Sequence, residues 1–179
     1  MLHSYLSELP IEPAVLGLLA VCLLASVTDI RQRRIPNWLV LSGLVGSFVL
    51  QYLLGGWTGI RIALIGVAAT FVITVGLMLL KVLGAGDSKL MLVVGASLGV
   101  EDAMLVLAIA LVLSGVLALA GSVLTGRFGR FKDNLYFGLV SMLRFDWSAA
   151  KSVADQTAYR VPFAVPVLLG VGAWLMWIY

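Results

Sequence analysis

The sequence predicts an all-α integral membrane protein with six transmembrane helices and one cytoplasmic amphipathic segment between the fifth and sixth. Three observations predict this class. Of the 179 residues, 61% are hydrophobic and only 12% charged, about half the charge of an average soluble domain. Six apolar runs recur at the scale of a bilayer crossing, about twenty residues for a helix. Eleven of the twelve basic residues lie in, or flank, alternate loops between those runs.

The runs follow one another along the chain. The first covers about Pro13 to Thr28, the second Trp38 to Leu54 and the third Ile60 to Leu83. The fourth, Ser88 to Val100, is short. The fifth covers Ala103 to Thr125 and the sixth Val161 to Tyr179. The residues before the first run lack a basic stretch, so it is expected to be a retained span and not a cleaved signal peptide. The whole chain, 1–179, reads as a single membrane-embedded domain.

Loop charges orient the spans. Arg31, Arg33 and Arg34 follow the first run, and Lys81 and Lys89 flank the turn between the third and fourth. Arg127, Arg130, Lys132, Arg144, Lys151 and Arg160 lie between the fifth and sixth. The opposite side holds only Arg61, together with Glu8, Glu12, Glu101 and Asp102. The positive-inside rule makes the basic side cytoplasmic and both termini external. The net charge of +3 is therefore topological. The expected partner is the lipid bilayer, and no nucleic-acid partner is expected.

Between Gly126 and Arg160, Phe128, Phe131, Leu135, Leu139 and Met142 recur at helical spacing. Arg130, Asp133, Asn134, Ser141 and Arg144 fall largely on the other side. This pattern predicts an amphipathic helix on the cytoplasmic surface, within the stretch 126–160.

His3 and Cys22 are the only residues of their types. His3 lies in the N-terminal tail, so a histidine-based triad is not expected, and a zinc site built on several His or Cys is excluded within one chain. No metal and no cofactor are expected.

Chemistry is expected at two aspartates. Asp29 ends the first apolar run, and Asp87 closes Gly84-Ala85-Gly86-Asp87 at the start of the fourth. An ionisable group beside hydrocarbon is costly and is by default a functional hypothesis. The charge pattern puts both on the cytoplasmic side. The thirteen residues of the fourth run rise only about 20 Å as a helix, against about 30 Å of hydrocarbon. Its first turn is therefore expected to lie recessed, in a small wet cavity. Two nearby carboxylates share a proton, and such a pair can activate water and protonate a carbonyl oxygen. The simpler alternatives are that Asp87 caps a helix and that Asp29 pairs with Arg31 or Arg33.

Supporting roles are expected nearby. Gly84 and Gly86 allow a tight turn and close approach. Lys89 is a candidate partner for an aspartate or a substrate carbonyl. Pro36 and Asn37 are expected to begin the second helix, with Asn37 as its cap. Arg160, Pro162 and Pro166 mark the start of the last span, where the prolines would free backbone groups.

These motifs carry a resemblance. The chain resembles the type IV prepilin peptidases, membrane aspartic proteases of the GxGD class. That family pairs an Asp followed by a basic stretch and Ile-Pro-Asn/Asp with a G-x-G-D-x-K motif. Here they stand as Asp29 through Ile35-Pro36-Asn37 and as Gly84 through Lys89. Arg160-Val161-Pro162-Phe163 is similar to the family's C-terminal pattern. The resemblance implies Asp29 and Asp87 as catalytic residues. It implies a prepilin or pseudopilin substrate with a short basic leader, cut at the cytoplasmic face of a bacterial or archaeal cytoplasmic membrane. The chain lacks the paired cysteines and N-terminal insertion of larger members that also methylate the product. It resembles the short form associated with tight-adherence pili, and methyltransferase activity is not expected. Two other readings of a membrane carboxylate pair are a proton-coupled transporter component and a non-catalytic pilus or secretion assembly factor.

Overall fold

The structure is a computed structural model that describes residues 11–32, 34–79, 83–124 and 163–178. The described residues are helical throughout apart from short connections, with no strand among them. The helices are α1 (Ile11–Gln32), α2 (Asn37–Leu79), α3 (Ala85–Leu98), α4 (Val100–Leu124) and α5 (Ala164–Ile178). Three of them contain stretches long and apolar enough to cross a membrane, namely Val15–Gln32, Asn37–Met78 and Val100–Ala120. The predicted amphipathic segment 126–160, with Arg160 and Pro162, lies outside the described residues.

The chain divides into two compact units, Met1–Ala110 with Pro162–Tyr179, and Leu111–Val161. Helix α4 contributes residues to both. In the second unit, the Ser114 hydroxyl donates to the Leu111 carbonyl, and Val112, Val116, Leu117 and Leu119 are exposed.

Helix α2 has 43 residues, a length of about 64 Å if it were straight. It is not straight. Gly56 has φ 56 and ψ −136, a backbone conformation that L side chains rarely adopt. Three residues on, a Cβ on Gly59 would overlap the carbonyl of Gln51. Uninterrupted helix would hold residues 51 and 59 about 12 Å apart, so the chain reverses here. Residues 37–55 and 57–79 correspond to the second and third apolar runs of the sequence.

Helix α3 lies between these two halves. Along 37–55 it runs parallel: Lys89 meets Asn37, Val93 meets Gly43, and Ser97 meets Ser47. Along 57–79 it runs antiparallel. Gly95 lies against Gly66 and Thr70, and the Ser88 hydroxyl reaches the carbonyl of Thr74. Helix α1 closes a third side and runs antiparallel to 37–55, with Gly17 at Leu50 and Val21 at Gly43. The result is a helix buried on nearly every face, including Leu90, Met91, Val93, Val94, Gly95, Ala96 and Ser97.

That position explains why α3 is short. A helix sheathed by others meets protein and not lipid at its ends, so it need not match the full hydrocarbon thickness, and apolar helices of 10–14 residues are often core helices. Small residues allow the close approach. A Cβ on Gly66 would overlap the Gly95 carbonyl oxygen, and a Cβ on Gly95 would press on Thr70. In lipid, helices associate through such backbone proximity and through polar contacts between helices. The contacts here are Ser47 Oγ to Ser97 Oγ at 2.7 Å and Gln51 Nε2 to the Ser97 carbonyl at 2.7 Å. Gly99, with φ 81, ends α3, its N–H donating to the Gly95 carbonyl at 3.0 Å.

Two helix boundaries differ from those read in the sequence. Glu101 and Asp102, which fall between the fourth and fifth apolar runs, lie in the first turn of α4, where the helix dipole favours them. Pro166 does not break α5. It is the third helical residue, and its missing N–H is one the first turn leaves unpaired in any case. Helix α5 packs on α1, and its Gly170 approaches Val106 and Ala110 of α4.

Candidate functional site

The common layer of the core fixes where the two aspartates lie. Gly43 touches both Val21 of α1 and Val93 of α3. From that layer Asp29 is eight residues onward along α1, and Asp87 six residues back along α3. Those steps rise about 12 Å and about 9 Å, toward the same end of the core, at similar height.

Asp29 is buried, within the last turn of α1. Its Oδ2 accepts a hydrogen bond from the backbone N–H of Ala164 at 3.3 Å. Ala164 is the first residue of α5, so the carboxylate sits where a helix presents unpaired donors and positive dipole. One turn earlier on the same face, the Ser26 hydroxyl donates to the Ala164 carbonyl at 3.0 Å. Neither Arg31 nor Arg34 makes an ion pair with Asp29 among the described residues. Arg33 lies outside them.

Asp87 is half-buried. The sequence placed it in an irregular turn or as a cap. Instead α3 begins at Ala85 with Gly84 as N-cap, and Asp87 is the third helical residue. Its Oδ2 reaches back to accept the Gly84 N–H at 3.1 Å, the carboxylate half of a capping box. This corrects the expected role of the glycines. Gly84 has φ −80 and ψ 154, which any residue adopts, but a Cβ there would crowd Oδ2 of Asp87. Its requirement is space for the carboxylate. Gly86 is helical, and a Cβ on it would make only ordinary contact with Ile35.

Lys89 and Asn37 come together. The Lys89 ammonium donates to Asn37 Oδ1 at 2.8 Å, so Asn37 ties α2 to α3 and does not cap its own helix. The start of α2 is capped by the Pro36 carbonyl, which accepts from Leu39 and Val40. Ile35, between the basic stretch and Pro36, is buried. The Ser88 hydroxyl donates to the Gly84 carbonyl at 3.2 Å and to that of Thr74 at 3.5 Å, fastening the first turn of α3 to the second half of α2.

Sequence reasoning missed Ser26, Ser88 and the backbone of Ala164. For Ser26 a signal existed, because residues three apart share a helix face. The part played by Ala164 left no trace in the sequence.

A family model described as the type IV leader peptidase family matches residues 16–119, more than half of the chain. The chain belongs to the type IV leader peptidase family. The matched stretch carries most of α1, the α2 hairpin, all of α3 and most of α4, including Asp29, Pro36, Asn37, Gly84, Gly86, Asp87 and Lys89. No curated protein and no solved structure matches the chain. Family membership makes the protein a leader peptidase, a protease of apolar, membrane-crossing composition.

Proposed function

We propose that the chain is an aspartic endopeptidase that removes the short basic leader of prepilins or pseudopilins, with Asp29 and Asp87 as its dyad. One observation carries the reading. In a chain of the leader peptidase family, these two aspartates lie at one end of a single helical core. Each is held by a backbone N–H.

The chemistry follows from the pair. Two close carboxylates do not both ionise easily, so they hold one proton between them. The ionised member takes a proton from water, and the water oxygen attacks the scissile carbonyl carbon. The protonated member gives its proton to the carbonyl oxygen. Collapse of the tetrahedral intermediate breaks the C–N bond, and the proton drawn from water passes to the leaving amine. Methyl transfer forms no part of this reading.

The site faces the cytoplasm in this proposal, and the chain crosses the membrane six times with both termini external. Loop charges support that arrangement. So does the helix 37–55, about 28 Å long, close to the hydrocarbon thickness. Trp38 is exposed at its start, and Tyr52 and Trp57 pack edge-to-face near its end. Aromatic residues at both ends of an apolar helix mark the two interfaces. A prepilin leader remains on the basic face while its apolar helix enters the bilayer, which brings the boundary between them to the dyad.

Co-expression with a candidate prepilin, followed by mass determination of the new pilin N-terminus, tests the reading. Cleavage at the boundary between basic leader and apolar helix is expected. An intact prepilin beside a correctly inserted peptidase would contradict it.

A further inference from the structure

Ser26 and Asp29 grip the same residue. Asp29 Oδ2 accepts the N–H of Ala164, and Ser26 Oγ lies 3.0 Å from the Ala164 carbonyl oxygen. The two peptide groups that flank the Ala164 Cα are therefore both fastened to one face of α1. All three residues are buried, Ala164 completely. The grip is also asymmetric at the carboxylate. Oδ2 is engaged, while Oδ1 of Asp29 accepts no hydrogen bond among the described residues.

The Ser26 hydroxyl has one proton and two acceptors in reach. One is the Cys22 carbonyl at 2.8 Å, one turn back in its own helix, and the other is the Ala164 carbonyl. Satisfying the hydroxyl alone needs only Cys22, the ordinary back-bond of a helical serine. The second contact is a link between helices, and it is placed one turn from the aspartate. The N-terminus of α5 and the carboxylate can align only if Ala164 stays in register with α1. The Asp29–Ala164 bond at 3.3 Å is at the long end for such a contact, and the Ser26 contact gives Ala164 a second point of attachment to α1.

We propose that Ser26 is a positioning residue. By holding Ala164 against α1 it fixes the Asp29 carboxylate, with Oδ2 committed to α5 and Oδ1 left to the reaction. The inference rests on the dyad reading above. It adds a residue that touches neither substrate nor reacting atoms and acts only through Ala164.

The test uses the full-length protein in lipid nanodiscs. The probe is a synthetic prepilin with a basic leader ending in Gly and an apolar helix of about twenty residues. Ser26→Ala is expected to keep KM and to lower kcat by about ten- to a hundredfold, the scale of a small misplacement of a reacting group. Ser26→Thr, which keeps the hydroxyl, is expected to retain most of the activity. Hydrogen exchange at the Ala164 amide should accelerate in Ser26→Ala and not in Ser26→Thr. Equal kcat in the alanine and threonine variants would overturn the role of the hydroxyl, even if both are weakened by altered packing. Unchanged exchange at Ala164 in Ser26→Ala would overturn the grip. A parent protein that leaves the probe intact would instead overturn the peptidase reading itself.

Discussion

The backbone N–H of Ala164 donates to Oδ2 of Asp29, so the first residue of the last helix is fixed to the last turn of the first. The two are 135 positions apart in sequence. The bond makes the start of α5 part of the candidate site, and among the described residues it engages one carboxylate oxygen, Oδ2, and not the other.

Removing that donor without removing a side chain is possible. Ala164→Pro deletes the N–H at the first position of a helix, where proline is well tolerated. The helix should persist, but the proline ring adds volume at a fully buried position, so some loss of stability is expected beside the loss of cleavage. A hydrogen bond to a charged group contributes about 1.5–3 kcal/mol, so leader cleavage is expected to fall roughly ten- to a hundredfold. Steady-state cleavage beside a melting curve in detergent checks both halves.

Lys89 and Asn37 should behave as one unit. Both are exposed, and their bond joins the starts of α2 and α3. Lys89→Met and Asn37→Ala are each expected to destabilise the protein slightly, with the double variant no worse than the more affected single one. The coupling should be about 0.5–1 kcal/mol, at the low end for directly interacting residues. Unfolding of the four proteins of the cycle in detergent measures it.

The glycines of the core should not be equivalent. A Cβ on Gly95 presses on Thr70 and the Gly66 carbonyl, whereas a Cβ on Gly46 meets nothing. Gly95→Ala is expected to cost about 3 kcal/mol or more, since backbone cannot move aside as a side chain can. Gly46→Ala should be neutral or stabilising by up to about 1 kcal/mol through helix propensity. Thermal melting monitored by size-exclusion chromatography separates the two.

In the proposed six-span topology the ends of 37–55 lie on opposite sides of the membrane, with the reversal at Gly56 on the outside. In intact cells, Gly55→Cys should react with a membrane-impermeant thiol reagent from outside. Arg34→Cys should react only after permeabilisation. Cys22, the native cysteine, is fully buried and should give no background. Labelling of both positions from one side would contradict the hairpin.

Much of this was legible in the sequence, for definite reasons. Where the six apolar runs lie within the described residues they fall on helix almost throughout, because burial in lipid and burial in protein both demand apolar residues over a helix's length. Asp29 and Asp87 stood out because acids are expensive in such a chain. Helix starts were less legible, since capping is decided by backbone geometry. Gly84 caps α3 where Asp87 was a candidate, and Asn37 spends its oxygen on Lys89. The central place of α3 was hidden, because a short apolar run reads alike whether it is sheathed or facing lipid. The contact between Ser26 and Ala164 was hidden for a deeper reason. Their link is between distant segments, and one of its partners is backbone, which every residue carries.

The central claim is that Asp29 and Asp87 together carry the cleavage. Asp29→Asn and Asp87→Asn change charge and protonation with little change of shape. Each should be made separately, co-expressed with a prepilin and scored for leader removal, with membrane insertion confirmed. The dyad account predicts that either substitution alone abolishes processing while the protein stays folded. Near-normal processing in either variant would contradict it.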